Sequence, residues 1–171
     1  MRLKIRKGLE LSQICRLLPV EHDHELFGHI THTSIVYEHG GSTYCWPDLD
    51  KPISFHTHPC GYYETAPSDR DIYNVLVRKG DAHIIRCDRF AWILRHTAAS
   101  RKVGRQLNST RYSGFKEWLG NDNYCFDVFF KRALSGFGYR EPKAKNPSTF
   151  TTNLRKQIEK LGLEVEIVRV V

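Results

Sequence analysis

Leu9, Leu11, Ile14, Leu17 and Leu18 recur at near-helical spacing and Pro19 closes the run, so residues 9–18 predict a short amphipathic helix. The pattern then becomes β-like. Glu25 to Ile30 and Ser34 to Tyr37 read as strands split by polar residues, and Gly40-Gly41-Ser42 reads as a turn. Ile53-Ser54-Phe55-His56-Thr57-His58 alternates and meets Pro59, which suits a strand ending at His58. Pro67-Ser68-Asp69 opens a helix to about Lys79, with Ile72, Val75 and Leu76 on one face and Gly80 just past its end. Residues 82–87 and 90–95 are β-rich runs around Cys87-Asp88-Arg89, the pattern of a hairpin.

From Phe115 to Leu134 the chain is aromatic and helical in pattern, with Gly120-Asn121-Asp122-Asn123 as a break. Residues 135–148 place glycine and proline among basic residues and read as an exposed loop. A helix near 149–161 follows, with Gly162 as terminator, and then a strand in which Leu163, Val165 and Ile167 alternate with Glu164 and Glu166. There is no internal repeat. The mixed order predicts an α/β or α+β fold on one central sheet, as a single domain over residues 1–171.

Composition narrows the function classes. Apolar content of 40% and charged content of 26% are those of a globular protein. No apolar run approaches the roughly 20 residues of a membrane span, so no membrane role is expected. The basic start Met1 to Lys7 leads into Gly8-Leu9-Glu10 rather than an apolar segment, and an intracellular protein without a secretory signal is expected. Cys15, Cys45, Cys60, Cys87 and Cys125 are dispersed with no C-x-x-C pair, which argues for reduced thiols over a disulfide framework or a cysteine metal site. Residues 1–99 hold twelve Lys and Arg against twelve Asp and Glu, whereas residues 100–171 hold fourteen against seven. The basic part from about residue 100 could bind nucleic acid or an acidic partner, or simply be a solvated face.

Candidate chemistry concentrates in His56-Thr57-His58-Pro59 and Pro67-Ser68-Asp69-Arg70-Asp71. Residues two apart on a strand face the same way, so His56 and His58 can offer both imidazoles to one point. Asp71 falls in the first turn of the following helix, where the dipole favours a carboxylate. Two histidines and one carboxylate, with a fourth position left to water, make a catalytic zinc site rather than a closed structural one. Each part has a plainer reading: His-x-His occurs on surface strands, and Ser68-x-x-Asp71 alone is a capping box.

The string H-T-H-P…P-S-x-x-D resembles the signature of the JAMM (MPN-plus) zinc metalloproteases. That family has a glutamate on an upstream strand followed by glycine three positions on, and Glu25-Leu26-Phe27-Gly28 has that form. The resemblance implies a curved sheet flanked by helices, Zn2+ on His56, His58 and Asp71, Glu25 as general acid/base, and Ser68 as an oxyanion stabiliser. It covers residues 9–95. Twelve residues separate His58 from Asp71, slightly more than in common members, and Glu25 stands only 31 positions before His56. Glu21 and Glu38 therefore compete with Glu25 for the base.

Other residues carry less chemistry. His22, His24, His29, His32 and His39 cluster around Glu25 and could mark a second metal, or be polar residues near a cleft. Trp46, Tyr62 and Tyr63 read as cleft aromatics, Cys60 as a spectator thiol, and His83 and His96 as structural residues. The resemblance implies a metalloprotease or isopeptidase cutting an amide bond in a protein or peptide, the candidates including conjugates of ubiquitin or a ubiquitin-like modifier. The competing class is a non-catalytic MPN-like scaffold or basic nucleic-acid-binding module. A metal-dependent phosphoesterase or amidohydrolase barrel needs a longer chain and more downstream ligands. Substrate and oligomeric state are not encoded in any motif.

Overall fold

A computed structural model describes residues 1–21, 23–41, 47–59, 66–87, 89–118, 124–143 and 146–170, the side chains of 110–118 and 124–127 excepted. The elements in chain order are β1 (Arg2–Lys4), α1 (Leu11–Cys15), β2 (Leu26–Ile30), β3 (Ser34–His39), β4 (Ile53–Thr57) and α2 (Asp69–Val77). They continue with β5 (Ala82–Arg86), β6 (Phe90–Arg95), α3 (Ala98–Trp118), α4 (Tyr124–Ser135), α5 (Pro147–Lys160) and β7 (Glu164–Arg169). The fold is mixed α/β, with a seven-stranded sheet in the order β1-β3-β2-β4-β5-β6-β7. β4 and β5 pair in parallel, while β1–β3, β2–β3, β2–β4 and β5–β6 are antiparallel. Among the described residues no helix is long and apolar enough to cross a membrane.

The chain forms two compact units. One comprises Met1–Pro67, Lys79–Arg95 and Glu166–Val171; the other comprises Ser68–Arg78 and His96–Val165. In the first unit, strand register sorts the two sheet faces. Gly28, Phe55, Ile84 and Ile93 lie side by side across β2, β4, β5 and β6. Phe55, Ile84 and Ile93 are fully buried and join Ile14, Cys15 and Leu18 from the α1 segment in one apolar core. Burying such side chains contributes about 1.5–3 kcal/mol each. The next row, Phe27, His56, Ile85 and Trp92, points to the opposite face.

Gly28 has a specific reason to be glycine. A β-carbon there would collide with the Val36 carbonyl and with Tyr37 Cα on β3. The residue lets β2 and β3 approach at the point where they pair.

In the second unit α2 is apolar along one side, burying Ile72, Tyr73, Val75, Leu76 and Val77. The Tyr73 ring meets Phe129 and Phe130 of α4 at centroid distances of 5.7 and 5.0 Å. Two side chains close the carbonyl end of α2. His96 Nε2 lies 2.9 Å from the Val75 carbonyl oxygen, and Asn108 Nδ2 donates to Val77 O at 2.9 Å. They satisfy groups that a helix end leaves without intrahelical partners. α5 begins on the Asn146 cap with Pro147 in its first turn, and Gly162 beyond its end has φ +82°, the left-handed conformation glycine accepts at no steric cost.

Two elements are not predicted by the hydrophobic pattern. β1 is three residues long and exposed throughout, so its pairing to β3 leaves no apolar alternation to read. The first part of α3, before Phe115, has few apolar residues because it packs through Gly104, where any β-carbon would strike the Leu76 carbonyl. The hairpin is present as β5 and β6, with Cys87 N donating to Phe90 O at 2.9 Å; Asp88 lies outside the described residues, as do Ser42 and the 120–123 break.

Candidate metal centre

β4 carries the two histidines because its alternation holds Phe55 in the core and turns Ser54 and His56 to the other face. His56 is 3% exposed, flanked in register by Phe27 and Ile85, while His58 follows the last strand residue and donates its amide to Arg86 O at 2.9 Å. The two imidazoles converge as the spacing predicts: His56 Nε2 and His58 Nε2 are 3.0 Å apart.

Asp71 stands in the first turn of α2, and the capping box and the ligand position coincide. Ser68 N and Ser68 Oγ both donate to Asp71 Oδ2, at 2.8 and 2.7 Å, and Asp71 N donates to Ser68 Oγ at 3.1 Å. The carboxylate plane is therefore set by two donors on one oxygen. Ser68 has a single hydroxyl proton, and it is directed at Asp71. Nearby in the same turn, Asp69 Oδ1 accepts from Tyr139 Oη at 2.6 Å. Tyr139 is buried, and burial, aided by the bond to Asp69, pushes its phenol well above the usual range.

His56 and His58 in the first unit and Asp71 in the second offer two imidazoles and a carboxylate, the donor types of a catalytic zinc site. Bonds of about 2.0–2.1 Å in tetrahedral zinc place neighbouring donors about 3.3 Å apart. The 3.0 Å histidine pair is already near that spacing. Imidazole and carboxylate are also the donor types that borderline divalent metals prefer. The residues fit a zinc ion.

Glu25 directly precedes β2 and is 8% exposed. Its backbone is fixed on both sides, with Glu25 N donating to Gly41 O at 2.9 Å and Gly40 N to Glu25 O at 2.7 Å. β2 pairs with β4 through Phe27↔His56, and continuing that antiparallel register sets Glu25 opposite His58 on the same face. Leu26 N donating to Thr57 Oγ1 at 2.8 Å keeps the two chains together there. The competing carboxylates are placed differently. Glu38 is exposed and pairs with Phe27 from β3, two strands from β4 and so about 10 Å away. Glu21 is exposed and lies 3.2 Å from His39 Nδ1.

Sequence reasoning missed what stands behind His56. His83 on β5, expected to be structural, is 3% exposed and bonds to His56: its Nε2 is 2.7 Å from His56 Nδ1, and its Nδ1 is 2.7 Å from Ser54 Oγ. A polar residue inside the apolar run Ala82-His83-Ile84-Ile85 was the available signal. His96, read the same way, does serve structure, bridging Ser100 Oγ and Val75 O. His22, Trp46, Cys60, Tyr62 and Tyr63 lie outside the described residues. No family model, curated protein or solved structure matches the chain.

Proposed function

We propose that this chain is a zinc-dependent hydrolase of amide bonds, a metalloprotease or isopeptidase acting on a protein or peptide. Conjugates of ubiquitin or a ubiquitin-like modifier are the first substrates to try, because the H-T-H-P…P-S-x-x-D string resembles the JAMM signature. The observation that carries the reading is the convergence of two buried-strand imidazoles, His56 Nε2 and His58 Nε2, to 3.0 Å. Bound zinc would supply Lewis acidity to the scissile carbonyl and to water.

The chain's own residues do the rest. His56, His58 and Asp71 hold the metal. Glu25, buried and in register with His58, takes a proton from the attacking water and hands it to the departing nitrogen. Ser68 first orients Asp71. Its hydroxyl can aid a developing oxyanion only by turning away from Asp71 Oδ2. The apolar neighbours Phe27, Ile85 and Trp92 in the His56 row lower the local dielectric and strengthen these interactions.

The test is metal content by elemental analysis of wild type beside His58→Ala, followed by turnover on ubiquitin chains and on peptide amides. Near one zinc per wild-type chain, little in the variant, and cleavage abolished by chelator support the proposal. No zinc after reconstitution would overturn it and favour the scaffold or basic nucleic-acid-binding reading. Iron in place of zinc would also overturn it, since two histidines and a carboxylate hold ferrous iron in oxygenases.

A further inference from the structure

We infer that His83 is a positioning residue for the metal centre. It fixes His56 in the tautomer that carries its proton on Nδ1 and so presents Nε2 as the donor. The inference rests on the metal-binding reading above and adds a residue to it.

The hydrogen-bond chain Ser54 Oγ···His83 Nδ1, His83 Nε2···His56 Nδ1 and His56 Nε2···His58 Nε2 runs through three contacts of 2.7, 2.7 and 3.0 Å. Each contact between ring nitrogens needs one proton. A neutral His56 that binds a metal through Nε2 must be protonated on Nδ1, and that proton then points at His83 Nε2. His83 must accept there, so its own proton sits on Nδ1 and goes to Ser54 Oγ. The His56–His58 contact is completed in the metal-free protein by a proton on His58 Nε2; for His58 to offer that nitrogen to a metal and stay neutral, the proton would move to its Nδ1.

Every proton is thus accounted for with all three rings neutral. Burial favours that state: His56 and His83 are each 3% exposed and Ser54 is 1% exposed. The parallel register that places His83 beside Ser54 also sets its ring end-on to that of His56, at a centroid distance of 5.0 Å and 26° between planes, the arrangement a bond between ring nitrogens requires. Outer partners of this kind typically change metal affinity 10–100-fold.

The experiment compares wild type, His83→Leu and His83→Gln in two readouts. Gln keeps an acceptor near the Nε2 position, and Leu keeps only volume. Long-range 15N–1H spectra of the metal-free proteins report the His56 tautomer, and chelator competition reports zinc affinity. Expected are an Nδ1-protonated His56 in wild type and in Gln, a tautomer mixture in Leu, and zinc binding roughly 10–100-fold weaker in Leu with most of the loss recovered in Gln. An unchanged tautomer and affinity in Leu, or a wild-type His56 protonated on Nε2, overturns the inference. If wild type shows the tether and Leu abolishes it while no variant takes up zinc, the metal reading fails and the His83 tether on His56 stands. Should Leu not fold, the wild-type tautomer and the Gln affinity decide.

Discussion

Ser68 and Asp71 complete each other: the serine hydroxyl donates to Asp71 Oδ2 at 2.7 Å and accepts the Asp71 amide at 3.1 Å. One reciprocal pair therefore caps α2 and orients the carboxylate proposed as a metal ligand. The two interpretations of S-x-x-D are the same contacts seen from the helix and from the site.

Replacing Ser68 by alanine separates those roles. Loss of the cap should cost about 1 kcal/mol of stability, measured by urea denaturation. Loss of the Ser68 hydroxyl donor on Asp71 Oδ2 should also weaken zinc binding, measured by chelator competition. A variant that loses stability and binds zinc as tightly as wild type would confine Ser68 to capping.

Glu25 should be separable from the ligands. Glu25→Gln keeps shape and removes the proton carrier, so turnover should fall by about 10²–10⁴-fold, the usual worth of a general acid/base. Zinc stoichiometry should stay near wild type, and matching loss of metal would assign Glu25 to coordination instead. Glu38→Gln, on an exposed residue of β3, should leave turnover largely intact. A fall as large as that in Glu25→Gln would move the base to Glu38.

Local pattern made the site strand and the start of α2 legible. Alternation placed Phe55 on one face and both His56 and His58 on the other, and Ser68 marked the helix start at Asp69. What stayed hidden depends on pairing between distant segments. The role of His83 exists because β4 and β5 align in parallel with Ser54 beside His83, and no window of sequence records that register. α3 before Phe115 stayed hidden for a related reason. Its buried face is built from Ser100, Gly104 and Leu107, two of them too small or polar to register as a hydrophobic stripe.

Gly28 gives a test of the sheet beneath the site. Gly28→Ala drives a methyl group into the Val36 carbonyl, a backbone atom that cannot rotate away. Overpacking of this kind costs about 1–3 kcal/mol, and the strain lies three residues from Glu25. The unfolding free energy from urea denaturation should fall by that amount, lowering the midpoint, and turnover should fall further than zinc affinity as the Glu25 register loosens. A midpoint equal to wild type would show that β2 and β3 can separate at that point without cost.

Cys15 makes the stability pH-dependent at the alkaline end. Burial, with a smaller push from the Glu166 carboxylate, raises its thiol from 9.0 to about 12. The folded state therefore holds a proton that the unfolded chain releases. Its contribution is complete below pH 9 and is lost as pH rises through about 12. Between pH 8 and about 10.5 the unfolded thiol is titrated for roughly 1.5 units, which is about 2 kcal/mol. Cys15→Ala removes the group and leaves other alkaline titrations, Tyr139 included, in place. Denaturation at the two pH values should show wild type losing about 2 kcal/mol more than the variant. Equal losses would mean that the thiol ionises inside the folded core as readily as in water, which its complete burial among Ile14, Leu18 and Phe55 opposes.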